Sequence, residues 1–477
     1  MNQELGVRYM VEGSVQKAEA RVRINAQLVD TTTGHHVWAE RYDGELKDIF
    51  ALQDEIVQKI VTTLKLQLTL REQGILVRKS TNNLEAYDYW LQGLTLFIRL
   101  TKETNEQARQ MFEKAVALDP RYALAYTSLG WTYFTEWTLQ WNPDPQNIEQ
   151  ALELAQKAIA LDDSVPTTHS LLSLIYVRKH QFEPALAEGE QAIALDPNFA
   201  NAYAWQVETL IHLGHPTDAL EMAKKAIRLN PRSPFWYAYN LGFAARMTGQ
   251  YEEAIAAQKE ALLRNPNYFW SYTELANNYL DAWWAQQLHD PQTLERALEV
   301  AQRAVALNNS SSIALSYLSL AYLSRKQYEQ AATEVERMRA LKVPNTDVCG
   351  CAASALSYVG RAEEAIGMIE QALRPPGFQM YLLNFLGQAY YLAGRLEEAI
   401  PPLKQYVSHY PDILSAHLNL AAVYSELGKE TEARAEATEV LRLNPQFSLE
   451  VHKQRVPIKD PAVLEHHIDA LRKAGLK

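Results

Sequence analysis

The chain ends a helix in nearly the same way ten times. AVALDP to Pro120, AIALDD to Asp163, AIALDP to Pro197, AIRLNP to Pro231 and ALLRNP to Pro266 are followed by AVALNN to Asn309 and a weaker copy near Val343, then by ALRPPG to Gly377, YVSHYP to Pro411 and VLRLNP to Pro445. The dominant spacing is 34 or 35 residues, the length of one helical hairpin plus its turns. A hairpin that short cannot bury its own apolar face, so such a chain must stack its hairpins.

Residue types recur in register inside each repeat. In the second, from Ala123, large residues fall at Tyr126, Leu129 and Tyr133 and small ones at Gly130, Ala151, Ala155 and Ala158. The ninth gives Leu383, Leu386, Gly387, Tyr390 and Ala399, and the tenth gives His417, Leu420, Ala421, Tyr424, Ala433 and Ala437. The spacing i, i+3, i+4, i+7 marks one face of a helix, present on two helices per repeat. Small residues let the paired helices approach, and the proline stops the second helix.

This pattern resembles the tetratricopeptide repeat family over residues 84–445. The expected fold is therefore all-α, a right-handed superhelical solenoid of about ten repeats, with 446–477 as a capping segment. Local departures are Met338 where alanine is usual and a short, degenerate eighth repeat between Cys349 and Gly377, expected to be the weakest layer.

Two repeats, ending at Asp163 and Asn309, are 43 residues long and match each other. Asp144-Pro145-Gln146 aligns with Asp290-Pro291-Gln292, and the ALE at 151 with the ALE at 297, as if a four-repeat cassette had been duplicated. The inserted turns, near 134–150 and 280–296, carry Trp137 and Trp141 in one copy and Trp283 and Trp284 in the other. These are candidate docking elements for a partner, against the alternative that the tryptophans pack on neighbouring layers.

Residues 9–43 change to alternation with period two: YMVEGSVQ, then ARVRINAQLVD, a turn at Thr31–Gly34, then HHVWAERYD. Three strands are expected, the last two a hairpin, followed by a helix striped with Ile49, Leu52, Ile56, Ile60, Leu64 and Leu68. Residues 1–78 thus form a small α/β module, and 79–83 a polar linker. The run ELGVRYMVEGSV, with RVRINAQLVDTTTGHHVWAERYD and IFALQDEIVQKI, resembles the second half of a TolB-amino-terminal-like domain, and VPIKDPAVLEHHIDALRKAGL resembles the closing segment of bacterial class III adenylate cyclase-type signalling proteins. That resemblance implies a strand and helix upstream of Glu4. The module is then half a domain, with an exposed sheet edge near residues 9–16 through which it is expected to associate.

Chemistry is sparse. A cyclase needs a separate catalytic domain, and fewer than 84 residues precede the repeats; there is no Gly-rich phosphate loop, GxSxG elbow or HExxH helix. His212 and His215 lack a third ligand nearby in sequence, and His35-His36 and His466-His467 are no better placed. Glu252-Glu253, Glu363-Glu364 and Glu397-Glu398 recur where second helices begin and complement the helix N-terminus. Cys349 and Cys351 suit neither a zinc cage nor a disulfide framework, and no catalytic, cofactor or metal residue is assigned. The first 83 residues balance 11 basic against 11 acidic side chains, so the net charge of −11 lies in the repeats and disfavours nucleic acid and anionic membranes. No run of about 18 apolar residues occurs. The default location is cytoplasmic, or periplasmic if the chain is attached to a membrane-linked parent.

First helices of stacked hairpins line a concave groove, where another protein or a peptide is expected. Counting off the packing stripe gives Trp131 and Phe134, then Trp236, Tyr239, Phe243 and Arg246. Trp270, Asn277 and Asp281 follow, and then Tyr381, Asn384, Gln388 and Tyr391. Aromatic anchors flanked by amides and an arginine suit an extended peptide or a helix. The expected function is a non-catalytic protein-interaction scaffold or regulatory module of bacterial signalling. The alternatives are the detached C-terminal part of an adenylate cyclase-type enzyme and a small-molecule sensor using the groove.

Overall fold

The computed structural model describes residues 9–31, 33–63, 81–139, 141–142, 144–341, 349–373, 380 and 382–477. Leu64, Leu68, the linker residues Lys79 and Ser80, the weaker helix end near Val343, Gly377 and Tyr381 lie outside the described residues. The chain divides into two compact units, Met1–Ile175 and Tyr176–Lys477.

The first unit opens with β1 (Tyr9–Ala18), β2 (Arg21–Asp30) and β3 (His36–Glu45), an antiparallel sheet in that order. The expected β2–β3 hairpin forms, and β1 also pairs with β2, from Tyr9 opposite Asp30 to Ala18 opposite Arg21. Alternation places Val22, Ile24, Ala26 and Leu28 on one face with Trp38 and Tyr42, and α1 (Ile49–Thr63) covers them with Ile49, Leu52, Ile56 and Ile60. β1 is left at an edge, with Val11 50% and Val15 66% exposed.

Helical hairpins follow: α2 (Leu84–Phe97) with α3 (Lys102–Leu118), and α4 (Ala123–Thr138) with α5 (Gln146–Leu161). Asn83 caps α2 by accepting from the amides of Glu85 and Ala86, and Thr101 and Thr104 form a capping box on α3. Ala151, Ala155 and Ala158 of α5 are fully buried. A Cβ on Gly130 would meet Leu171 Cδ2 at 2.9 Å, so the small residues sit where the helices cross. α6 (Pro166–Arg178) spans the division between the units.

The second unit continues with α7 (Phe182–Leu195), α8 (Ala200–His212), α9 (Pro216–Leu229), α10 (Phe235–Met247), α11 (Tyr251–Arg264), α12 (Phe269–Trp284) and α13 (Thr293–Leu307). Beyond them come α14 (Ser312–Ser324), α15 (Tyr328–Ala340), α16 (Cys349–Tyr358), α17 (Ala362–Ala372), α18 (Leu382–Leu392), α19 (Leu396–His409), α20 (Leu414–Glu426) and α21 (Glu430–Leu443). The C-terminal segment forms α22 (Leu449–Arg455) and α23 (Pro461–Lys473). Hairpin turns pivot on one left-handed residue, such as Gly214 at φ 80° or Gly249 at φ 72°. In the degenerate eighth repeat, Ala352, Ala353, Leu356, Ala365 and Ile369 are fully buried.

The insertions lengthen the first helix as well as the turn. α4 and α12 have 16 residues, against 13 in α8 and α10.

Candidate functional site

Nine residues after the large residue that opens each first-helix stripe, the repeats place Arg178, His212, Arg246 and Asp281 in one register. Arg246, on the last turn of α10, points its guanidinium at two carboxylates of α12: Nε lies 3.1 Å from Glu274 Oε2 and Nη1 lies 3.4 Å from Asp281 Oδ2. These side chains are only 14%, 10% and 27% exposed respectively. One step earlier, Arg178 holds Glu208 of α8, with Arg178 Nη2 donating to Glu208 Oε2 at 2.8 Å and His212 Nε2 standing 3.8 Å from Oε1.

The electrostatics differ between the two pairs. Burial works against the Glu208 charge, but Arg178 and His212 hold its carboxyl well below the usual range. Asp281 goes the other way: burial pushes it up to about 6, Arg246 only partly opposing and Glu274 adding to the rise. Burial opposes the Arg246 charge too, yet Glu274 and Asp281 hold its pKa above the ordinary value. The cluster thus sets two carboxylates against one cation, and Asp281 is the under-compensated member.

Aromatic walls surround it. Tyr239 and Phe243 stack with ring centres 6.5 Å apart, and Arg246 lies 5.5 Å from the Phe243 ring centre. Burial raises the Tyr239 phenol well above its ordinary value. Asn277 Nδ2 donates to the Tyr317 hydroxyl of α14 at 3.3 Å, joining the cluster to the next repeat. Burial also pushes the Cys351 thiol up to about 12, so it stays protonated.

Tyr239, Phe243, Arg246, Asn277 and Asp281 therefore come together, with Asn277 only 8% exposed. Trp236 stacks flat on Trp205 at 5.5 Å and 2°, a layer contact, and Trp270 lies edge-on to Phe269 at 5.2 Å. Gln388 accepts from Ser354 Oγ at 2.9 Å and donates to the Tyr358 hydroxyl, while Asn384 Nδ2 donates to Ser415 Oγ at 3.2 Å. Tyr391 is 7% exposed and bonds to Glu426 and His467, so α23 covers it and it is no groove residue. In the first unit, Trp131 meets Phe134 edge-on at 5.7 Å and Phe134 is 4% exposed, which places it in the packing. Arg109, paired with Glu136 and lying 4.0 Å over the Tyr133 ring, was not anticipated there, nor was Glu274 in the second unit.

The inserted turn after α12 meets the chain's own C-terminal segment. The Arg455 guanidinium lies 3.8 Å over the Trp283 ring and donates to the Trp283 and Leu288 carbonyls at 2.5 and 3.0 Å. Gln286 makes a two-way contact with Ser448, its Nε2 donating to the Ser448 carbonyl and its Oε1 accepting from the Ser448 amide, each at 2.9 Å. Asn444 Nδ2 donates to the Ala285 carbonyl at 2.8 Å. Trp284 packs into the core beside it. Trp283 and Trp284 thus hold an intramolecular contact and are not free for an outside partner. Trp137 and Trp141 are half-buried.

Among the described residues, no group of three or more His, Cys, Asp or Glu could hold a metal ion, and no helix is long and apolar enough to cross a membrane.

Tetratricopeptide repeat families match residues 235–268, 352–412 and 414–447. A Rhizobium meliloti (strain 1021) protein named "Putative adenylate cyclase 3" is 43% identical over 175 residues, which is 36% of this chain and 30% of that protein. The chain therefore aligns with less than a third of that curated relative. Among solved structures, the thermophilic TPR protein TTC0263 of Thermus thermophilus is 22% identical over 40% of this chain and 99% of its own, with a TM-score of 0.36. The APC/C hetero-tetramer Cut9–Hcn1 covers 90% of this chain with 85% of its own at 13% identity and a TM-score of 0.43. The chain carries tetratricopeptide repeats; helical hairpins stack in each of its two units, and a small three-stranded sheet precedes them in sequence.

Proposed function

We propose that the chain is a non-catalytic protein-interaction scaffold whose second unit takes a peptide along the face that carries Tyr239, Phe243, Arg246 and Asp281. The observation that carries this reading is the Arg246–Glu274–Asp281 cluster: charged groups, mostly withdrawn from water, on first helices and walled by aromatic rings. A packing layer would be more stable with apolar residues there, because desolvating three charges costs more than their mutual attraction returns. Retaining them suits recognition, where a partner's polar groups complete the pairing.

The likeness to a protein named as an adenylate cyclase supports a setting in bacterial signalling. The resemblance of the N-terminal sequence run to a TolB-amino-terminal-like domain fits the same setting. In that reading the chain regulates or senses, and nucleotide chemistry belongs elsewhere.

The test is selection of peptides from a random displayed library on the intact chain, followed by competition against chains lacking the Tyr239 ring or the Arg246 guanidinium. Enriched peptides that bind those variants as well as the parent would overturn the reading.

A further inference from the structure

Two histidines meet inside the C-terminal cap. His452 of α22 and His467 of α23 bring their Nε2 atoms to 3.1 Å. His467 Nδ1 lies 3.0 Å from the Tyr391 hydroxyl, and that hydroxyl donates to Glu426 Oε1 at 2.9 Å. The phenol proton is committed to the carboxylate, so Tyr391 accepts from His467 Nδ1–H. His467 Nε2 is then bare and accepts from His452 Nε2–H. The network assigns one proton to each ring; once both rings are doubly protonated, their two Nε2–H groups face each other at 3.1 Å with no acceptor between them.

Among the described residues, no carboxylate touches either ring to compensate an added charge. Glu426 of α20 reaches His467 only through Tyr391 and is also engaged by His466 Nε2 at 2.9 Å. On α22, Glu450 is exposed, Lys453 pairs with Glu465 at 2.6 Å and Arg455 lies on Trp283. On α23, Asp469 pairs with Arg472, and Lys473 is exposed. From α18, Tyr391 faces the pair; Tyr358 of α16 is held by Gln388.

α22 also closes the second unit. Ser448, which caps it, and Arg455, which ends it, grip the inserted turn at Gln286, Trp283 and Leu288, and His452 lies between them. We propose that the His452–His467 contact makes α22 a proton-operated latch, closed when both imidazoles are neutral and released from the inserted turn when they take up protons.

Burial lowers both imidazoles below their ordinary 6.5, His452 to about 4. Closure is therefore fully supported above pH 6.5 and loses that support as pH falls below it, since the open cap binds protons that the closed cap excludes. With two protons taken up per opening, the open fraction rises about 100-fold per pH unit below about pH 6. The inserted turn follows α12, which carries Glu274 and Asp281, so release of the latch loosens the end of the helix bearing the proposed binding face. The latch itself does not depend on that face binding a peptide.

The test is hydrogen exchange of the intact chain from pH 7.5 to 5.0, with rates corrected for intrinsic chemistry. Segments 285–288 and 449–473 are expected to lose protection together, about 100-fold per pH unit below about pH 6, while 216–264 stay unchanged. The double variant His452→Gln/His467→Gln should flatten this response, and His215→Gln, in an exposed turn, should retain it. Should the double variant fail to fold, histidine ring-proton titration of the parent decides: two of the 12 histidines must titrate well below the rest. Uniform loss of protection across the second unit, no loss at all, or His452 and His467 titrating near 6.5 would overturn the latch.

Discussion

The Tyr410 hydroxyl donates to the carbonyl of Ile211 at 3.0 Å across 199 residues of chain. Around it, Tyr406, Tyr410, Leu383 and Ala416 share one apolar cluster with Val207, Leu210, Ile211 and Met247, so early and late repeats of the second unit are in direct contact. Such a unit is not a row of hairpins that touch only their neighbours, and it should not melt one repeat at a time.

Tyr410→Phe keeps the ring and removes the donor, leaving the Ile211 carbonyl without its partner. Loss of about 1–2 kcal/mol from the second unit is expected. Urea unfolding followed by tryptophan fluorescence measures it; an unchanged midpoint would mean that the closure contributes nothing.

Asp281→Asn is expected to stabilise the protein at neutral pH. A carboxyl whose folded pKa is raised to about 6 binds its proton more tightly folded than unfolded, so its ionised form costs stability above that pH and the cost shrinks as pH falls through 6 towards 4. The gain should be about 1–3 kcal/mol at pH 7.5, fall to about a third of that at pH 4.5 and vanish only below about pH 3.5, allowing for partial exposure. A variant that is less stable than the parent at both pH values would show that Arg246 needs both carboxylates for the fold.

Gly387→Ala tests the close helix crossing in the ninth repeat. A Cβ there would sit 2.3 Å from Leu403 Cγ, the branch point of a fully buried side chain. Overpacking of about 1–3 kcal/mol outweighs the helix-propensity gain of about 1 kcal/mol, so thermal unfolding should move down. Gly394→Ala, with nothing within 4 Å but a φ of 76°, should cost only about 1 kcal/mol.

The repeat register made most of the local structure legible: helix ends, buried alanines and the positions of Arg246 and Asp281 follow from a period that sequence displays directly. What it hid comes from long range. Tyr391 occupies a groove position by register, yet His467, 76 residues on, lies against it. Trp283 reads as an exposed docking residue until Arg455, 172 residues away, is found on its ring. Glu274 escaped notice because its position in the repeat belongs ordinarily to packing. The Tyr410–Ile211 contact depends on how each repeat rotates on the next, and no local spacing encodes that.

Incubation of the intact chain with ATP and Mg²⁺ or Mn²⁺ is expected to yield no cyclic nucleotide above a buffer control. Formation that disappears when residues 1–83 are removed would make the chain an enzyme and contradict the scaffold reading.

The most direct measurement is the affinity of a library-selected, fluorescently labelled peptide for the parent chain and for Arg246→Gln, each first shown by circular dichroism and thermal unfolding to be folded. Loss of at least about 10-fold in affinity, equivalent to about 1.4 kcal/mol, is the predicted result. Equal affinity for both chains would contradict it and move the binding face away from the Arg246 cluster.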